Sequence, residues 1–306
     1  MMEAGLICDS PELIENQQLK KELEDASIKP HVVALKDVAI KVGIQPSFDQ
    51  PGINLDDVNG FLCRGLGLTS LNKSFFRFDV LYSLEHRGKV LINSAQATER
   101  ALNKCQTSVI LDASGIPTPR TVIAESLNHA IKGFKTLGED VLVKPIYGSQ
   151  GRGIFRLDNQ GYAERHFLEM FQSGYVYYLQ EFHDWRCPPG LDVKNPFDVR
   201  LFVLSGEVIG AMIRESTAPS DWLTNITAGA TPRFFKPDDE LTGLAVKSAS
   251  ALGLDIAGID LMYSGKTDSW TVLEVNCSPG WKGLSQVCET NIPKAIVDFF
   301  KSKMKQ

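Results

Sequence analysis

Asp260, Glu274 and Asn276 stand inside two apolar stretches of a 306-residue chain, IAGIDLMYS and SWTVLEVN. A carboxylate set in an apolar strand is costly unless a partner compensates it. Side chains two apart on a strand share a face, so Glu274 and Asn276 are neighbours. The polar turn SGKTDS between the stretches brings Asp260 back alongside them. Like charges so placed repel unless a cation joins them. Carboxylate and amide oxygens without sulfur or imidazole suit a hard divalent ion, Mg²⁺ first, which also takes phosphate oxygens. A solvated sheet edge, or salt bridges to Lys and Arg, would account for the same residues without a metal.

A second group lies in VLVKPIYGSQGRGIFRL, residues 141–157, where Gly148, Gly151 and Gly153 spell G-x-x-G-x-G. This is neither the dinucleotide-binding nor the P-loop pattern, both of which run from strand into helix. Here GIFRLD continues as a strand, so the glycines mark a hairpin tip. Such a tip lets backbone N–H groups approach phosphate oxygens, although turn geometry alone would also call for glycine. Lys144 shares its strand face with Leu142, opposite Val141 and Val143, and is expected at the mouth of the hairpin. It reads either as a point charge for phosphate or as a snorkelling surface lysine. Asp198 and Arg200 share a face of FDVRLFV, and Arg214 ends VIGAMIR; these arginines would grip anions or pair with acids across strands. Gln180 and Glu181 end a strand just before Phe182, where backbone groups and a carboxylate can meet an adenine and ribose. The five histidines lie in unrelated contexts, and no Ser-His-Asp or Cys-His arrangement is visible.

The elements that must position these groups fall into three modules. Strands AGLICDS, PHVVALK and VNGFLCRGLGL with intervening helices form a small open α/β unit over residues 1–94. AQATERALNKCQTSVILDASGIP reads as one long amphipathic helix stopped at Gly115 and Pro117. It leads into a small four-stranded sheet with two helices on one face, the first capped by Ser126, the whole of 95–183 forming a linker helix and lid. Residues 184–306 read as a hairpin, a long loop, a helix, a second hairpin and terminal helices. At 43% apolar and 23% charged residues, the composition is that of an ordinary globular chain. A net charge of −5 gives no support to nucleic-acid binding. The six scattered cysteines have no metal-ligand spacing and read as reduced thiols. No apolar run reaches the roughly 20 residues of a membrane span, and the start is too acidic for a signal peptide, so a cytoplasmic protein is expected.

Taken together, VLVKPIYGSQGRGIFRL, LQEF, DVRLFVLSGEVIGAMIR and EVNCSPG resemble the ATP-grasp superfamily, specifically its RimK-like amino-acid ligases, over nearly the whole chain. The resemblance implies an α/β (α+β) ATP-grasp fold with antiparallel sheets in its two ATP-grasp subdomains. It implies that Lys104 and Lys144 contact ATP phosphates beneath a flap of Gly148, Ser149, Gln150, Gly151 and Gly153. Gln180, Glu181 and Phe182 would face the adenine, with Asp198 near the ribose. Asp260, Glu274 and Asn276 would hold Mg²⁺, with Mn²⁺ as a substitute, and Arg214 and Asn225 would lie where an acyl phosphate forms. Arg152 departs from the small or aliphatic residue usual at its position. The implied activity is ATP-dependent amide formation between a carboxylate and an amine, glutamate being the expected amino acid and a cofactor or protein the acceptor. PGWKGLSQ and DWLTNITAGA look most like the tetrahydromethanopterin glutamate ligase branch. Two other readings stay open: an ATP-binding regulator without turnover, as in synapsin-like proteins, and a D-alanine-D-alanine-type peptide ligase. Homo-oligomerisation is compatible with all three.

Overall fold

Apolar alternation and turn chemistry divide the chain into 16 strands and eight α-helices among the residues described, which are 2–67, 69–148, 153–218, 224 and 229–305 of the computed structural model. The first unit comprises β1 (Met2–Ile7), α1 (Ile14–Asp25), β2 (Ile28–Val33), β3 (Ala39–Ile40), β4 (Phe48–Gln50), β5 (Ile53–Asn54), β6 (Gly60–Cys63), α2 (Leu71–His86) and β7 (Val90–Ile92). Its main sheet is parallel in the order β2-β1-β6-β7, as the alternating β and α pattern predicts. The little sheet β3-β4-β5 is invisible to periodicity, because strands of two or three residues are too short to show a period.

The expected long helix is two helices, α3 (Ala95–Leu102) and α4 (Lys104–Ala113). Asn103 breaks it: its backbone is extended, and its side-chain oxygen accepts the N–H groups of Cys105 at 3.0 Å and Gln106 at 3.3 Å. An asparagine that caps a new helix competes with continuing the old one. The break makes Lys104 the first residue of α4, and its N–H donates to the Ile146 carbonyl (3.1 Å).

The lid contains β8 (Thr121–Ala124), α5 (Leu127–Thr136), β9 (Val141–Val143), β10 (Phe155–Leu157), α6 (Gln160–Gln172) and β11 (Tyr177–Glu181). Its sheet runs β10-β9-β11-β8, and Ser126 caps α5 as expected. Val141, Val143, Tyr177 and Leu179 point to one face and join Phe134 and Phe167 in a core that the lid shares with no other unit. The opposite face is thereby left to Lys144, Tyr178 and Gln180.

The third unit is a five-stranded antiparallel sheet, β14-β13-β12-β15-β16, from β12 (Phe197–Leu204), β13 (Glu207–Glu215), β14 (Thr231–Phe234), β15 (Ile256–Ser264) and β16 (Ser269–Asn276), with α7 (Asp239–Leu252) and α8 (Ile292–Lys303). β14 falls where the sequence reads as loop, since a strand carrying Pro232 gives a weak strand signal. One face of this sheet packs α7, α3 and α4 through Val199, Leu201, Ile259 and Leu261. Phe202, Met212 and Trp281 on the other side share a core with Leu6, Leu19 and Phe300 of the first unit and α8. The first and third units are thus fused, whereas the lid stands on its own core.

Candidate active site

Within β12 and its neighbours, alternation leaves Asp198, Arg200, Arg214 and Asp260 on the face opposite the Val199–Leu201 core. Register pairs Arg200 with Asp260 and Asp198 with Arg214 directly across strands. Arg214 Nε and Nη2 donate to the two Asp198 oxygens, each at 2.6 Å, and Nη2 also reaches Asp260 Oδ2 at 2.9 Å. Arg200 grips Asp260 through both oxygens, and the Thr224 hydroxyl donates to Asp198. Gly258 permits the approach, because a Cβ there would lie 2.7 Å from Pro279 Cβ and 3.1 Å from Arg200 Nη1. The cations that meet Asp260 in this structure are therefore arginines. Burial alone would raise the Asp260 carboxyl, but Arg200 and Arg214 outweigh it and hold the group below its usual range. Burial raises the Asp198 carboxyl, aided by the nearby Asp260 charge and opposed by Arg214.

Glu274 lies directly opposite Asp260 across β15 and β16, and Asn276 opposite Gly258. Both side chains are half-buried, and neither has a hydrogen-bond or ion-pair partner among the described residues. Facing Glu274 is a narrow cleft between the lid sheet, α4 and β16, lined by Lys104, Ser108, Lys144, Tyr178 and Leu273 and enclosing about 40 Å³. Tyr178 and Ser108, which sequence reasoning did not single out, bridge lid and α4 by a 2.6 Å hydroxyl contact. Only the period-two pattern of YYLQE marked Tyr178 as a face-mate of Gln180.

The two lysines meet across this cleft. Lys144 Nζ donates to Gln180 Oε1 (2.5 Å), and Lys104 Nζ to the Gly148 carbonyl (2.7 Å). Burial pushes the Lys144 ammonium down to about 8; Glu274 pulls it back up and Lys104 adds to the depression. Burial likewise lowers Lys104, against the pull of Glu274. Gly153 sits at φ +74°, a conformation that favours glycine. Ser149, Gln150, Gly151, Arg152 and Asn225 lie outside the described residues.

Glu181 leaves the cleft face. Arg120 holds it bidentately at 2.6 and 2.8 Å, Lys266 adds a 2.6 Å contact and His183 one of 3.3 Å. The Arg120 hydrogen bond is the main reason its carboxyl falls to about 2. Phe182 lies under the Arg156 guanidinium, 3.7 Å from its ring centroid. Of the residues expected around a nucleotide, the structure brings Lys104, Lys144, Gly148, Gln180 and Glu274 together, while Asp198, Asp260 and Arg214 form the adjoining buried ion cluster.

A RimK-like ATP-grasp domain matches residues 101–300. The chain belongs to the RimK-like ATP-grasp family. It is 36% identical over 306 residues to the tetrahydromethanopterin:alpha-L-glutamate ligase of Methanocaldococcus jannaschii, covering 97% of each chain. The enzyme of that name from Methanococcus maripaludis is 31% identical over 303 residues, again covering 97% of each. The alpha-aminoadipate–LysW ligase LysX of Saccharolobus solfataricus is 33% identical over 221 residues, 71% of this chain and 76% of its own. Among solved structures, the RimK domain ATP-grasp protein of Sphaerobacter thermophilus superposes with a TM-score of 0.73 at 18% identity, covering 97% of this chain and 98% of that one. The ATP-grasp ligase PsnB, solved with a minimal precursor, Mg and ADP, gives 0.70 at 19% identity, covering 99% and 98%. The fold is ATP-grasp, and the protein is an ATP-dependent ligase.

RimK-like ligases use ATP and Mg²⁺, and the residues present fit the metal. Glu274 and Asn276 are oxygen donors with no protein partner among the described residues, adjacent on one strand face and beside two lysines. Hard oxygen ligands of this kind suit Mg²⁺. Asp260 offers less, since both its oxygens already accept guanidinium hydrogen bonds.

The depressed Lys144 has a pH signature. If its charge holds ATP phosphate, apparent affinity for ATP falls as pH rises through about 8, because only the protonated form binds. The expected loss is about tenfold between about pH 7 and pH 9. In Lys144→Arg, whose guanidinium stays charged, that fall should vanish. Fluorescent-nucleotide titration at several pH values measures it, and a flat wild-type profile would detach Lys144 from the phosphates.

Proposed function

We propose that this chain joins L-glutamate to a carboxylate of a tetrahydromethanopterin-type cofactor through an acyl phosphate. A carboxylate oxygen of the acceptor attacks the ATP γ-phosphorus, the bond to the β-phosphate oxygen breaks, and ADP leaves. The glutamate amine then attacks the acyl carbon, phosphate departs and the nitrogen loses a proton. Charge spreads over the peripheral oxygens of the transferring phosphoryl group, so the protein's contribution is positioning and electrostatics. Lys104 and Lys144 supply cationic charge at the cleft. Glu274 and Asn276 would hold Mg²⁺, which when bound neutralises phosphate charge. Asp260 would complete that set as its bond to Arg200 or Arg214 loosens, and Arg214 and Asn225 would serve the acyl phosphate. Gln180 and Phe182 would meet the adenine, with Asp198 towards the ribose and residues 148–153 over the phosphates. Mn²⁺, also a hard oxygen-seeking ion, would replace Mg²⁺.

The observation that carries the choice of acceptor is coverage. The tetrahydromethanopterin:alpha-L-glutamate ligases match 97% of the chain, whereas the LysW ligase matches 71%. Acceptor recognition sits in loops and accessory domains more than in the shared nucleotide machinery. The reading also places the enzyme in the cytoplasm, independent of nucleic acid. No helix among the described residues is long and apolar enough to cross a membrane.

Incubating the protein with MgATP, labelled L-glutamate and tetrahydromethanopterin should release ADP in step with a glutamyl mass gain on the pterin. ADP release with a carrier protein and none with the pterin would move the acceptor. MgATP binding without turnover on any acceptor would favour the regulator, and turnover with small neutral amino acids but not glutamate would favour a D-alanine-D-alanine-type ligase.

A further inference from the structure

Arg64 follows directly on β6, at the carboxyl end of the parallel sheet. Crevices outside that end are where open α/β sheets take their ligands. Its guanidinium lies over the Trp281 ring, 4.6 Å from the centroid, and Nη2 donates to the Pro279 carbonyl at 3.0 Å. The Ser278 hydroxyl donates to the Arg64 carbonyl at 2.8 Å. Arg64 is thus clamped to the segment that leaves β16 two residues after Asn276.

What this guanidinium lacks is an anion in contact with it. It forms no ion pair among the described residues, and Nε is buried without any hydrogen-bond partner. Glu15 acts on Arg64 only through its charge, and Asp9 faces Arg77 at 3.4 Å. Burial pushes the neighbouring Cys63 thiol up to about 11 and Cys277 up to about 12, so neither supplies negative charge at neutral pH. A half-buried guanidinium without a contacting counter-ion is costly to keep, and its fork geometry matches a carboxylate.

We propose that Arg64 binds a substrate carboxylate, that of the amino acid or that of the acceptor, at the carboxyl end of the parallel sheet beside the loop after β16. This deepens the carboxylate–amine ligase reading and rests on it. Trp281 and Pro279 fix the guanidinium plane in advance, so that it accepts a planar carboxylate with little further ordering.

The test is steady-state kinetics of the full chain with Arg64→Gln and Arg64→Lys, measuring KM separately for L-glutamate, the acceptor and ATP. Arg64→Gln should raise KM for one of the two carboxylate substrates on the order of 10–100-fold, the substrate affected naming the source, with KM for ATP unchanged. Arg64→Lys should recover part of that loss. A rise in KM for ATP alone, or a lowered Tm with every KM unchanged, would overturn the proposal by making Arg64 a phosphate ligand or a structural clamp. Should Arg64→Gln fail to fold, Arg64→Lys decides by the same comparison, a KM raised several-fold against one unchanged. Wild-type protein that turns over no amino acid would instead sink the ligase reading itself.

Discussion

Glu274→Gln should leave a folded protein whose kcat is at least about 100-fold below wild type, the scale of losing one group that stabilises transition-state charge. The substitution changes one atom type and little volume. Glu274 makes no hydrogen bond or ion pair among the described residues, so Tm should scarcely move. Its effect is electrostatic and has a second, independent readout. Glu274 is the group that raises the Lys144 pKa against burial and the Lys104 charge. Removing it should shift the pH midpoint of ATP binding below about 8. A variant with wild-type kcat and an unmoved midpoint would show that the cleft chemistry does not pass through Glu274.

Arg214→Leu should destabilise the protein by about 3–5 kcal/mol, the range for breaking a buried ion pair from one side. Arg214 is the guanidinium shared by two buried carboxylates, Asp198 and Asp260. Without it, Asp198 keeps only the Thr224 hydroxyl among the described residues, while facing the charge of Asp260. The pH dependence separates this cause from simple loss of packing. In wild type the Asp260 carboxyl is held below its unfolded value, so its stabilisation is present above that value and is lost as pH falls through the folded one. In the variant Asp260 keeps Arg200, but Asp198, left without a cation, would titrate further above its unfolded value, so acid would relieve the strain and the deficit would shrink as pH falls. Urea midpoints from strongly acidic to neutral pH measure both slopes, and Asp198→Asn added to Arg214→Leu should recover part of the loss. A deficit independent of pH would point to packing instead.

Much of the site was legible because period-two alternation is local. In VLVKP the valines had to share one face and leave Lys144 on the other, and in LEVN the same arithmetic makes Glu274 and Asn276 neighbours. The antiparallel pairing of β9 with β10 followed from a strand on either side of the glycines. Arg64 carried no signal, since what distinguishes it is a missing counter-ion. Glu181 was read at a strand end without the fact that its own face points away from the cleft, towards Arg120 and Lys266.

On its own the sequence determined the order of the longer elements, though not β3 to β5, β14 or the break at Asn103, together with the faces of the longer strands and the presence of oxygen donors in apolar surroundings. All of these depend on residues a few positions apart. The tertiary structure decided which charges meet. Between Leu261 and Asp260 the register of β15 on β16 shifts, from Leu261 opposite Val272 to Asp260 opposite Glu274. Without that bulge Glu274 would stand opposite Ile259, on the core face, because a one-residue slip turns every side chain over. The same non-local pairing gave Asp260 to Arg200 and Asp198 to Arg214. Strand register is set by the packing of whole sheets, and no window of sequence contains it.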